Sequence, residues 1–207
     1  MHARTTRLQA DRARIDEGIA HVRDEVIPAV TAMDGCIGMS LLVDRESGQC
    51  IATTAWESPD AMAASAELVG PVREKAEQML GSSTSDVDLW EVAVVHRDHA
   101  SPEGACARVT WVSGASEDTD RVVDVYRMGI LPRLQELDGF CSASLMTDRE
   151  AGRAVGTVFF ETRAHMEASR DAAASIRQAA MTEMGATVDQ IAEMEVALAH
   201  LHVPEMA

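Results

Sequence analysis

The sequence predicts an α+β fold: two tandem copies of one β-α-β-β-α-β unit, each an antiparallel sheet carrying both helices on one face. Three observations carry this. A set of residues recurs 104 positions later with no gap. Within each copy, short strand-like runs alternate with amphipathic helical runs. The composition is that of a folded chain, with 46% of the 207 residues hydrophobic and 25% charged.

The repeat is plain in the residues. Asp44-Arg45-Glu46-Ser47-Gly48 returns as Asp148-Arg149-Glu150-Ala151-Gly152, Ala3-Arg4 as Ala107-Arg108, and Asp34-Gly35 as Asp138-Gly139. Glu91-Val92-Ala93 returns as Glu195-Val196-Ala197 and His96 as His200, while Pro28, Met62 and Gly81 pair with Pro132, Met166 and Gly185. An offset of that length marks a duplicated domain, because solenoid units run to about 20–50 residues. The expected organisation is a first unit over 1–97, a linker over 98–105 and a second unit over 106–203.

Each element can be read twice. Ala3 to Leu8 opens the first copy as a strand. Ile15, Ile19, Val22, Val26 and Val30 then fall on one helical stripe, matched by Val123, Tyr126, Ile130, Leu134 and Leu137. Pro28 and Pro132 lie near the end of this helix and predict a kink. Cys36 to Val43 and Gln49 to Glu57 read as strands flanking the Asp-Arg-Glu-x-Gly turn, whose glycine suits a left-handed position. Ser58-Pro59-Asp60 reads as N-cap, first-turn proline and first-turn acid of a second helix, closed by Gly81. The last strand is expected from about Leu89 to His96. Such a unit leaves one sheet face bare, and a tandem copy can cover it.

Charge and composition exclude several functions. A formal charge of -16, with Lys75 as the single lysine, argues against nucleic acid and anionic membrane surfaces as partners. An aromatic fraction of 3% is too lean for base stacking. No apolar run is long enough to cross a bilayer, and the charged N-terminus lacks a secretory signal. Cys36, Cys50, Cys106 and Cys141 show no CxxC pair and no metal-ligand spacing, so a reduced, cytoplasmic protein is expected. His96-Arg97-Asp98-His99 and His200-Leu201-His202 lack the spacing of a closed metal site, and no metal is expected.

The runs Val26-Ile27-Pro28-Ala29-Val30, Asp34-Gly35-Cys36-Ile37-Gly38 and Trp56-Glu57-Ser58-Pro59-Asp60-Ala61 resemble the antibiotic-biosynthesis-monooxygenase family of the dimeric α+β barrel superfamily. The second copy keeps Ile130-Leu131-Pro132, Asp138-Gly139-Phe140 and Phe160-Glu161-Thr162. The resemblance implies two ferredoxin-like units packed through their sheets as an intramolecular pseudo-dimeric α+β barrel. It also implies a small, mostly apolar ligand between sheet and helices. Members either oxidise such molecules with O2 and no metal, or degrade haem. The family's oxygenases use a first-strand asparagine, the tryptophan matched by Trp56, and a histidine and a basic residue on the helices. This chain contains no asparagine, Phe160 replaces the tryptophan in copy two, and no histidine stands at the haem-ligand position. No cofactor is therefore expected.

The residues offer these candidates. Tyr126, Arg127 and His165 are the catalytic set, with Trp56, Trp111, Phe140, Phe160, Met39 and Arg23 as ligand contacts. Trp56 and Phe160 suit either a ligand wall or the core between sheet and helix. Arg23 and Arg127 suit either a carboxylate or superoxide at a cavity mouth, or a helix-surface ion pair. His165, in the first turn of a helix, is either a neutral base or a surface histidine. Glu91 and His96 sit five residues apart and point to opposite strand faces. Five of the seven aromatics lie in copy two, which places the expected pocket there. Two readings follow: a monooxygenase-like enzyme acting on an aromatic or quinone-type molecule, or a non-catalytic binding, sensing or assembly module of the same fold.

Overall fold

A computed structural model describes residues 1–114 and 119–201; His202 and the end of the expected second unit lie outside them. The element order in the first copy is β1 (His2–Gln9), α1 (Ile15–His21), α2 (Ile27–Thr31), β2 (Cys36–Val43), β3 (Gln49–Trp56), α3 (Pro59–Ala64), α4 (Ala66–Leu80) and β4 (Ser85–Arg97). The second copy repeats it as β5 (Cys106–Ser113), α5 (Thr119–Val125), α6 (Leu131–Gln135), β6 (Phe140–Asp148), β7 (Arg153–Phe160), α7 (Arg163–Ala168), α8 (Arg170–Met184) and β8 (Thr187–Leu201). The strands hydrogen-bond in the order β1-β3-β2-β8-β5-β7-β6-β4 and close as a barrel. This is the α+β barrel that the family resemblance implies.

Compactness divides the chain differently from the repeat. One unit is Met1–Trp90 with the strand end from Glu195 onward, and the other is Glu91–Met194. The far halves of β4 and β8 therefore serve the sheet opposite to the copy that encodes them. In the first unit, Val43 to Gly38 of β2 pair with Glu195 to Leu201 of β8, and in the second, Glu91 to Arg97 of β4 pair with Thr147 to Ser142 of β6. The Asp-Arg-Glu-x-Gly turns secure both pairings. Arg45 Nε meets Glu195 at 2.7 Å, and Arg149 Nε meets Glu91 at the same distance. Each arginine also reaches an acid of the first helix of its own copy, Asp16 in α1 or Asp120 in α5, at 2.8 Å.

Local chemistry explains the helices. Ser58 and Thr162 accept hydrogen bonds from Ala61 N and His165 N as N-caps, and Gly81 and Gly185 close the long helices at φ +71° and +66°. The predicted kink takes the form of a π-helical turn, Val22–Val26 and again Tyr126–Ile130, just ahead of each proline. A proline has no N–H to give its i−4 carbonyl and its ring crowds that turn, so the backbone widens. Ile27 N then bonds Val22 O, and Leu131 N bonds Tyr126 O, both five residues back.

Gly48 sits at φ +83°, where a Cβ would stand 2.6 Å from the Ala10 carbonyl oxygen. That atom is backbone and cannot swing aside. Gly48→Ala is expected to lower stability by about 2 kcal/mol, from left-handed strain plus the clash. Urea unfolding of the full chain checks this, and an unchanged midpoint would refute it.

Candidate functional site

Each compact unit holds a cavity between its sheet and its helices. The one in the second unit measures about 90 Å³ and that in the first about 60 Å³. Strand parity builds both walls. Arg108, Thr110 and Val112 of β5 face the helices in the second unit, as Arg4, Thr6 and Leu8 of β1 do in the first. The second-unit wall is apolar apart from Arg108, Thr110, Tyr126 and Arg177.

The sequence candidates separate by position. Tyr126 and Phe160 line the larger cavity, and Met39 lines the smaller one. Tyr126 is buried and donates its hydroxyl hydrogen to the Ser144 carbonyl at 3.2 Å, and burial pushes its pKa upward. It stays protonated through neutral pH. Phe160 is completely buried, with the Arg108 guanidinium 5.6 Å from its ring centroid. Trp56 is likewise buried, 5.8 Å from the Arg4 guanidinium, and donates to Thr54 Oγ1 at 3.1 Å, so it backs the smaller cavity without lining it.

The remaining candidates stand away from both cavities. Arg127 is exposed and donates to the Ala93 carbonyl at 3.0 Å, and Arg23 pairs with Asp24 at 2.7 Å on the helix surface. His165 lies 3.4 Å from Glu161 and packs over Gly139. Trp111 is one residue out of phase with Arg108 and Thr110, so it occupies the other sheet face. Phe140 is in the core and stacks on His96 at 6.2 Å. Tyr126, Arg127 and His165 are thus not brought together. Among the described residues, no group of three histidine, cysteine or acidic side chains stands ready to hold a metal, and no helix is long and apolar enough to cross a membrane. None of the four cysteines is in a disulfide, and burial pushes the Cys50 thiol up to about 11.

The buried cavity-wall residues that the sequence reading does not single out are Arg4 and Arg108. Both are almost fully buried, at 6% and 5% exposure. Each reaches a break between two helices. Arg4 Nη1 and Nη2 bond Ser65 Oγ at 3.1 Å and the Met62 carbonyl at 2.6 Å. Arg108 repeats this with Ser169 Oγ at 2.9 Å and the Met166 carbonyl at 2.6 Å. Their recurrence in the repeat was the available signal. A charge on a strand reads as solvent-facing, and that hid it.

Residues 1–68 match the family described as antibiotic biosynthesis monooxygenase. The full chain is 50% identical over 206 residues to the uncharacterized protein Rv2557 of Mycobacterium tuberculosis, covering 92% of it. The chain belongs to one family with Rv2557, and its residues 1–68 carry the antibiotic biosynthesis monooxygenase match. Within solved structures, this tandem family member superimposes on an anthrone oxidase-like protein with a TM-score of 0.66 at 15% identity, over 97% of this chain and 90% of that one. It also matches a heme-degrading enzyme from Listeria monocytogenes with a TM-score of 0.55 at 9% identity, over 95% and 98%. At those identities the likeness concerns the fold.

Proposed function

We propose that this family member binds a small, flat apolar molecule of aromatic or quinone type in the cavity of its second unit. The observation that carries the reading is the wall of that cavity: aliphatic on nearly all sides, with the Tyr126 phenol as its one neutral aromatic hydroxyl. The hydrogen bond from Tyr126 to Ser144 is long for a hydroxyl donor, so a ligand acceptor can take its place at little cost. A cavity of about 90 Å³ is somewhat smaller than the roughly 150 Å³ cavity that accepts a benzene ring. A single ring fits once Met181 and Met184 yield, which the flexible thioether chain does readily. Two relatives by fold, named for anthrone oxidation and haem degradation, make ring molecules the first class to test.

Binding is favoured over turnover because the lining holds no carboxylate or histidine to serve as a base. A protonated Tyr126 donates and does not abstract. Titration with 1-naphthol, followed by methyl NMR of Ile130 and Ile176, should show saturable shifts. Ala180→Leu, which fills the cavity from α8, should weaken binding at least tenfold and leave the melting temperature unchanged or higher. Equal binding by this variant, or no saturation, would overturn the proposal. Oxygen uptake that accompanies binding and is lost in Tyr126→Phe would replace the binding reading with the enzymatic one.

A further inference from the structure

The two buried arginines have different counter-charges. In the second unit, Arg108 Nε and Nη2 meet Glu193 Oε1 at 3.1 and 2.8 Å, and Arg170 holds the same carboxylate from the helix side. The first copy has Leu89 where the second has Glu193, and Ala66 where it has Arg170. Leu89 is 53% exposed and offers nothing to a cation. Arg4 keeps its two neutral acceptors, yet among the described residues it makes no ion pair.

Burying a guanidinium without an anion is costly, and the usual remedy is a carboxylate that accepts on two of its N–H groups. Arg4 lines the first-unit cavity together with Arg73, which stands 3.5 Å from Glu77. Burial and the nearby Arg73 charge both press the Arg4 pKa downward, as expected of a cation lacking an opposite partner. Apart from Thr6 and Thr54 the rest of the wall is largely apolar, and includes Val22, Met39, Leu41 and Leu80.

We infer that the first-unit cavity is a second ligand site, separate from the one proposed above, that takes a small organic monocarboxylate: the carboxylate on Arg4 in the place that Glu193 fills on Arg108, and a compact apolar body against the aliphatic wall. A volume of about 60 Å³ limits that body to a few carbons or a ring that displaces Met39. The second unit is the internal control, because its own side chain already occupies the equivalent place.

The test uses the full chain, 4,4,4-trifluorobutyrate and its neutral isostere 4,4,4-trifluorobutyramide, which carry no ring for the second-unit cavity, followed by 19F NMR at constant ionic strength. The acid should bind at one equivalent and at least tenfold more tightly than the amide. Leu89→Glu, which gives Arg4 the carboxylate present in the other copy, should abolish binding of the acid and raise the melting temperature. Glu193→Leu should open the second site and raise the stoichiometry from one to two. Arg4→Met should lose at least tenfold in affinity; if that variant fails to fold, the Leu89→Glu result decides. Equal affinity for acid and amide, or unchanged binding in Leu89→Glu, would overturn the inference.

Discussion

Phe160→Ala is expected to lower stability by about 3–5 kcal/mol, the range for deleting a fully buried aromatic ring. The ring has no exposed surface and packs with Cys106 and Met166 in a cluster of its own. It sits at the end of β7, paired to Cys106 on one side and Phe140 on the other, so its loss loosens three strands together. The void it leaves is continuous with the second-unit cavity, which prevents neighbouring side chains from closing over it. Arg108 also loses the ring face beneath its guanidinium, a contact of about 0.5–2 kcal/mol. The shift in the urea midpoint of the full chain measures the sum. A loss below about 1 kcal/mol would mean that the region is already loosely packed.

Arg108→Met should cost a similar amount, about 3 kcal/mol, at the lower end of the range for removing one partner of a buried pair. Methionine fills most of the volume, so what the experiment reads is the Met166 carbonyl, the Ser169 hydroxyl and a half-buried Glu193 left short of donors. Arg170 still holds Glu193 from the surface, which keeps the cost from rising further. The same pair gives a pH signature. Hydrogen bonds from Arg170, and then from Arg108, hold the Glu193 carboxyl below the usual glutamate range. A depressed carboxylate contributes its stability in full above the unfolded value near about 4.3, and loses it as pH falls through the lower folded value. Wild type should therefore lose stability on acidification below about pH 4 more steeply than Glu193→Gln. Parallel acid limbs would show that Glu193 is not ionised against Arg108.

Much of this fold was legible because its signals are local. A proline before a helix end, a serine three residues ahead of a first-turn amide, and a glycine after the last apolar turn each act within a few residues. The repeat supplied every signal twice. The long strands were read too short: Ser85, Asp86 and Asp88 look like a loop, yet they lie in β4, because pairing partners decide a strand more than its own residues do. The site was less legible, since it depends on which face each strand turns inward. Trp111 and Arg108 are three residues apart and occupy opposite faces; aromatic character suggested the first as the wall residue, and the sheet chose the second. Likewise nothing in the sequence near Ser65 or Ser169 announces a break between helices, which becomes meaningful only when Arg4 or Arg108 arrives from a strand about sixty residues away.

The reciprocal turn pairs have an evolutionary consequence. After a duplication, each copy is ordinarily free to drift by itself. Here the arginine of one copy's hairpin grips the glutamate encoded by the other, Arg45 with Glu195 and Arg149 with Glu91, so a change at either member is felt in the opposite half of the gene. Both copies keep the rim pair while the two interiors differ, as Leu89 and Glu193 do. One ancestral chamber can in this way become two with unlike tastes, inside a shell that neither half can abandon.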